Sequence, residues 1–227
     1  MNNDVGVLNR TVNPPRYKKL LTIIVLRLLI TPFMGGSFGE IVASFLFFLI
    51  TLLIVQSFQL RRALFLVFVA LATLAFLLNI ILILGWVPNN TAPLLTFQSI
   101  YSLFFGSAAL LILQNILRIP KVTMDTVQGG ICVYLLLGYF WALLYGIVYT
   151  LDPNAFSSAL VTETSYLNMF YFSFITLTTL GFGDIVPANE IASVLTILEA
   201  LVGQMYPTIF IALLVNGYFA HRQLPIE

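Results

Sequence analysis

Residues 165–187 read SYLNMFYFSFITLTTLGFGDIVP, and this stretch decides the fold. Its first part, 165–177, is apolar and aromatic but only about 13 residues long, whereas a helix needs roughly 20 apolar residues to cross a bilayer. We therefore predict a short re-entrant helix over 165–177, with Thr164 or Ser165 as its N-cap.

The next residues, Thr178 to Asp184, form what we call the glycine loop. Gly181 and Gly183 alternate with larger residues, which suits a backbone that repeatedly leaves the ordinary φ/ψ regions. Non-helical backbone at membrane depth is tolerated only where it is buried in protein or lines a water-filled path. The pattern predicts an irregular segment held inside a membrane protein.

The composition supports a membrane protein. Of 227 residues, 60% are hydrophobic and 8% are charged, whereas a soluble domain carries roughly a quarter charged residues. These values exclude a soluble enzyme, a disordered chain and a nucleic-acid-binding protein. The single cysteine, Cys132, rules out an intrachain disulfide. No His, Cys or acidic cluster has metal-ligand spacing and no nucleophile has an evident base, so we predict neither an enzyme nor a cofactor.

Six apolar runs predict six membrane spans. They cover residues 20–34, 41–57, 63–85, 94–116, 131–151 and 190–219. Every Lys and Arg except Arg27 falls in the N-terminal stretch, in alternate loops or in the C-terminal tail, and basic residues gather on the cytoplasmic side. We therefore predict a multi-pass protein in the lipid bilayer with both termini cytoplasmic.

The first run has two interpretations. Its basic start and apolar middle are typical of a signal peptide. However, Arg27 interrupts the run and no clear small-x-small cleavage site follows. We favour a true span in which Arg27 snorkels or is paired inside the bundle.

The sequence Thr-Leu-Gly-Phe-Gly at 179–183, followed by Asp184, resembles the selectivity filter of potassium channels. The surrounding order is also similar: an outer helix, a pore helix, the filter, Pro187 and a long inner helix. The resemblance covers about 126–221. It implies an all-α membrane protein with six transmembrane helices, a re-entrant pore helix and a filter loop. Because the chain holds one filter and a ring of carbonyls needs four, a homotetramer around a central pore is implied.

The resemblance also implies a division of the chain. Residues 1–17 form a cytoplasmic tail, 18–125 a four-helix transmembrane domain, and 126–227 the pore domain. The backbone carbonyls of Thr179, Leu180, Gly181 and Phe182 are expected to replace the water around K+. These ions are the only bound species that the sequence leads us to expect.

Further site roles follow from the same resemblance. Gly183 is expected to let the last carbonyls of the loop point to one axis, Thr178 to support the loop, and Asp184 to lie at the outer mouth. Tyr171 and Phe172 stand where the family often has tryptophans around the filter. Phe182 replaces the more common tyrosine, so a hydroxyl behind the filter is lost.

The last apolar run contains candidate gating residues. Gly203 stands where related channels have a hinge glycine, and close helix packing is an equal alternative for it. Pro207 removes a backbone donor and predicts a local bend. Ile211, Val215 and Phe219 lie along the lower pore by resemblance, and our hypothesis is an apolar constriction there that gates by dewetting.

Two charges lie within the spans. Ionisable residues in such positions are usually paired and functional. Glu199 has two interpretations: a buried glutamate that is protonated or bonded to a neighbouring helix, which we favour, and a residue that sets the stability of the filter. Arg27 is a candidate partner for it.

The fourth run lacks the sensor of voltage-gated channels. Their fourth helix carries arginines at every third position, whereas this run has no charge before Arg118. We predict passive K+ conduction that is not gated by an arginine voltage sensor. The alternatives are a poorly selective cation channel of the same architecture and a non-conducting scaffold or accessory subunit.

Overall fold

The computed structural model describes residues 17–30, 36–57, 62–85, 91–118, 122–158 and 166–222. The helices within these ranges are α1 (Tyr17–Ile30), α2 (Gly36–Ser57), α3 (Arg62–Ile83), α4 (Thr91–Arg118), α5 (Met124–Leu151), α6 (Tyr166–Leu177) and α7 (Glu190–Arg222). Two short strands, β1 (Phe156–Ser158) and β2 (Ile185–Pro187), lie on either side of α6 and the glycine loop. Most of the predicted N-terminal tail and both proposed caps of the pore helix, Thr164 and Ser165, lie outside the described residues.

Four described helices are long and apolar enough to cross a membrane. They are Leu66–Ile83 within α3, α4, α5 and Glu190–Gly217 within α7. The apolar parts of α2 and α6 are shorter, at Ile41–Gln56 and Asn168–Leu177, and α1 has 14 residues. The fold is therefore that of an α-helical membrane protein, and six spans remain a prediction.

Helix α5 is the centre of the packing, because α1 and α4 both lie against it in the same chain. Its N-terminus is closed by a capping box in which Thr123 and Thr126 bond each other's backbone N–H groups. The backbone N–H of Tyr17 donates to Asp125 Oδ1 at 3.0 Å, so the start of α1 is fixed to the start of α5. Such contacts satisfy donors that a helix start leaves unpaired.

Arg27 lies in an aromatic pocket between these helices. Its guanidinium is 3.8 Å from the ring centre of Phe47 on α2 and 4.8 Å from that of Tyr139 on α5. A desolvated cation over aromatic rings gains about 2 kcal/mol, which offsets part of the cost of burying the charge. Arg27 is thus held by aromatic faces, and it does not form the candidate pairing with Glu199, whose carboxyl bonds Tyr145 and Ser173.

A cluster of buried side chains packs behind the glycine loop. It joins α5 to α6 and α7 through Tyr145, Phe172, Ile175 and Leu177, among others. The ring of Phe172 meets those of Tyr145 and Phe156 in edge-on contacts with centroids 4.9 and 5.4 Å apart. Phe172 needs no donor in this position because its partners are apolar ring surfaces.

Strands β1 and β2 form a small antiparallel sheet that no sequence pattern predicted. Ser157 pairs with Val186, and the Ala188 N–H donates to the Ala155 carbonyl at 2.8 Å. Asn189 Nδ2 also donates to Asp152 Oδ2 at 2.8 Å. The sheet ties the segment after α5 to the segment that leaves the glycine loop.

Candidate functional site

The glycine loop begins by folding back onto the end of α6. The N–H groups of Thr178 and Thr179 donate to the carbonyls of Phe174 and Thr176, and those of Leu180 and Gly181 both donate to the carbonyl of Ile175, at 2.9–3.1 Å. These bonds turn the N–H groups of the loop towards its own helix. None of these bonds uses a carbonyl oxygen of the glycine loop.

The backbone of the glycine loop alternates in handedness. Thr179, Gly181 and Gly183 have φ values of 59°, 52° and 77°, whereas Leu180 and Phe182 between them are not in the positive-φ region. Such alternation turns successive carbonyls to the same side of the chain. Thr179 is the only non-glycine residue with positive φ in the described parts of the chain. A β-branched residue rarely adopts this conformation, and such strain is typical of functional sites.

The loop presents unpaired oxygens and exposed apolar side chains. In the described part of the chain, no donor bonds the carbonyls of Thr179, Leu180, Gly181 or Phe182. The side chains of Leu180 and Phe182 are 58% and 66% exposed in the single chain. A row of free oxygens can take the place of water around a cation, and large exposed apolar groups indicate a surface that other protein covers.

The carbonyl of Leu177, at the end of α6, is fixed from two sides. The hydroxyl of Tyr134 on α5 donates to it at 3.0 Å. Gly203 on α7 lies so close that a Cβ at this position would overlap the same oxygen. Gly203 is therefore closely packed against the base of the loop.

Asp184 is held at the far end of the loop. Its Oδ2 accepts a hydrogen bond from the Tyr171 hydroxyl at 2.7 Å, and its Oδ1 accepts one from the Ile185 N–H at 3.1 Å. Tyr171 belongs to α6, so this contact joins the beginning of β2 to α6 across the loop. It brings together two residues that the sequence analysis singled out.

Replacing Tyr171 with Phe should weaken this connection. A hydrogen bond to a charged group contributes about 1.5–3 kcal/mol, so we expect cation flux through the reconstituted protein to decay several-fold faster than in the wild type. Decay of flux with time would be measured. Tyr101→Phe, which removes a hydroxyl from α4 far from the loop, is the matched control. Equal decay in both variants and the wild type would contradict the prediction.

The carboxyl of Glu199 lies behind the loop. Its side chain is fully buried and bonds the hydroxyls of Tyr145 on α5 and Ser173 on α6 at 2.5 and 2.6 Å. Glu199 thus joins three helices at the level of α6. Sequence reasoning identified Glu199 but missed its partners, because a tyrosine and a serine in apolar helices carry no distinguishing pattern.

The gate candidates all lie on α7, but they differ in how far their side chains are buried. Gly203 is buried and Pro207 is half-buried, whereas Ile211 and Val215 are exposed by 59% and 48% in the single chain. Phe219 belongs to α7, and its side chain lies outside the described residues. The face around 211 and 215 is therefore open for contact with a pore, lipid or another chain.

One comparison with known proteins finds a match, and it covers the part of the chain that contains this site. Residues 130–219, from α5 to near the end of α7, match the family model described as an ion channel. No curated protein and no solved structure matches the chain. The matched segment contains α6, the glycine loop and both helices that hold them. Together with the apolar helices, the match supports an ion channel in a membrane.

Proposed function

We propose that this chain forms a homotetrameric, potassium-selective channel with the glycine loop as its filter. The alternating backbone at Thr179, Gly181 and Gly183 is the observation that carries the proposal, because it frees four successive carbonyls. K+ must lose its water in a narrow pore, and rings of such carbonyls replace that water. The match of residues 130–219 to the ion channel model supports the coarser class.

The electrostatics of α6 favour a cation. The helix ends at Leu177, directly before the loop, so the negative end of its dipole points towards the entrance of the filter. Asp184, at the other end of the loop, adds a carboxylate that raises the local concentration of cations. A cation therefore meets negative potential on both sides of the glycine loop.

Four copies are needed because one chain supplies one loop. Leu180 and Phe182 are exposed in the single chain, as are Ile209, Ile211 and Val215 on α7. We propose that neighbouring subunits cover part of this apolar surface and that lipid covers the rest. The placement of basic residues in alternate loops supports cytoplasmic termini and a filter that opens to the outside.

Flux into liposomes tests the proposal. Purified protein should carry K+ and be blocked by barium, and reversal potentials in mixed K+ and Na+ should follow the K+ gradient. Reversal midway between the two gradients would favour the poorly selective channel. Absence of barium-sensitive flux from well-folded protein would overturn the proposal and favour the scaffold.

Voltage should act weakly on this channel. Within the described part of α4, the basic residue is Arg118 at the last turn, so the helix carries no row of charges to move through the field. Conductance measured against voltage should rise with a slope equivalent to less than about one elementary charge per subunit. A slope equivalent to several charges per subunit would contradict this prediction.

The gate hypothesis gives a separate prediction. Val215→Ser should raise basal K+ flux, because a small polar side chain keeps an apolar constriction wet. Val194→Ser is the matched control, since Val194 lies on the same helix and is similarly exposed, at 56% against 48%. Basal flux of both variants would be compared with that of the wild type. An unchanged flux in Val215→Ser would exclude Val215 from the gate.

A further inference from the structure

The hydrogen bonds around Glu199 depend on which of the bonded groups carry a proton. Tyr145 donates to Oε2 of Glu199 at 2.5 Å. Ser173 Oγ lies 2.6 Å from Oε1 of Glu199 and 2.8 Å from the carbonyl oxygen of Gly138. The hydroxyl of Ser173 has one proton to donate, but both of these neighbours are oxygens that would accept it.

A neutral carboxyl satisfies every member of this network. If Oε1 carries the proton, it donates to Ser173 Oγ, and the Ser173 hydroxyl donates to the Gly138 carbonyl. Oε2 still accepts from Tyr145. An ionised carboxylate would instead take the single Ser173 proton away from the Gly138 carbonyl and would place a charge in a buried site, which is costly.

The neighbours of Glu199 supply no compensating charge. Tyr134 and Tyr145 on α5 are the titratable groups that interact with it, and α6 contributes the hydroxyl of Ser173. Within the described ranges, Glu199 forms no salt bridge with a Lys or Arg. A charge on its carboxyl would therefore be buried without a cation beside it.

The network reaches the glycine loop through α6. Ser173 immediately precedes Phe174, Ile175 and Thr176, whose carbonyls accept the N–H groups of the loop. A bond that fixes Ser173 to α5 and α7 therefore fixes the acceptors that set the direction of the loop. Glu199 itself lies in α7, and its hydrogen bonds go to α5 and α6.

We propose that Glu199 is a positioning residue that keeps its proton and donates it to Ser173, thereby locking α6 between α5 and α7. The proposal rests on the proposed function of the glycine loop, since it assigns Glu199 to the support of the filter. It predicts that a neutral amide can replace the acid, because the amide donates to Ser173 and accepts from Tyr145 just as a carboxylic acid does.

Infrared spectroscopy tests the proton without reference to conduction. The difference spectrum between wild type and Glu199→Gln at neutral pH should show loss of the carbonyl stretch of a protonated carboxylic acid. Glu190→Gln, which changes an exposed glutamate at the start of the same helix, should show loss of carboxylate bands. Loss of carboxylate bands from Glu199→Gln would overturn the proposal.

Flux tests the positioning role. K+ flux and K+ preference over Na+ should stay within about twofold of wild type in Glu199→Gln and fall roughly tenfold or more in Glu199→Ala, because truncation leaves two buried hydroxyls without their partner. Wild-type behaviour of Glu199→Ala, or an equal loss in both variants, would overturn the proposal. Ser173→Ala should lose K+ flux as Glu199→Ala does. It would replace Glu199→Ala in the test if that variant does not fold.

Hydrogen exchange separates this proposal from the proposed function. The amides of α6 should exchange faster in Glu199→Ala than in wild type and at an unchanged rate in Glu199→Gln. If wild-type protein carried no K+, the proposed function would fail, whereas exchange would still report whether Glu199 holds α6. Equal exchange in all three proteins would overturn the positioning role.

Discussion

Gly181→Ala is expected to abolish K+ flux. Gly181 has φ of 52°, and alanine in this left-handed region costs about 1–2 kcal/mol per residue. In the proposed tetramer each of four subunits would carry this cost, so the filter would lose about 4–8 kcal/mol, or roughly a thousandfold or more in the population of its conducting form. Apart from the two neighbouring residues, no atom of the described residues lies within 4 Å of the position that the alanine methyl would take, so the effect comes from the backbone conformation and not from overlap with them.

Gly85→Ala provides the matched control for Gly181. Gly85 has φ of 67° and equally open surroundings, but it lies just after α3, which packs against α2 and α4. Gly85→Ala should lower the thermal stability of the protein slightly and leave K+ flux intact. Flux would be measured in liposomes after the tetramer has been isolated in detergent. If Gly181→Ala conducted K+ as the wild type does, the glycine loop would not be the filter.

Gly203→Ala is the second variant with a large expected effect. A Cβ at Gly203 would overlap the carbonyl oxygen of Leu177 and lie 2.9 Å from its Cα, so backbone would have to move. Overpacking of this kind costs typically about 1–3 kcal/mol at each site, and the displaced group is the start of the filter. We expect lower thermal stability together with loss of most K+ flux.

The control for Gly203 is Gly106→Ala in α4. There the new methyl would meet the ring of Phe140 at 3.0 Å, and a side chain can turn aside where a backbone carbonyl cannot. Thermal unfolding and flux would be measured for both variants. A flexible hinge at Gly203 predicts altered gating with unchanged thermal stability, so that result would contradict the packing role.

Local patterns predict the short helix and the unusual backbone of the candidate site, because both depend on neighbouring residues. The apolar run predicts a pore helix over 165–177, and α6 covers Tyr166–Leu177. The alternating glycines predict a backbone outside the ordinary regions, and Gly181 and Gly183 both have positive φ. The conformation of Thr179 could not be predicted, since a threonine carries no local preference for positive φ.

Contacts between distant segments could not be predicted in this way. Ser173 and Tyr145 lie 26 and 54 residues from Glu199, and their hydroxyls are ordinary in apolar helices. The pairing of β1 with β2 joins segments of three residues each, too short for a periodic pattern. The rings of Phe47 and Tyr139 lie against the guanidinium of Arg27, and no spacing in the sequence reveals such an aromatic pocket.

The packing of α1 and α4 on α5 of the same chain has a consequence for how channels of this kind would be built. Each copy carries its own outer helices, so a chain can complete most of its folding before it meets another. Mutant and normal chains produced together would then mix at random. In the proposed tetramer, a defective glycine loop would enter most channels when defective and normal chains are made in equal amounts, and its effect on the cell would be dominant.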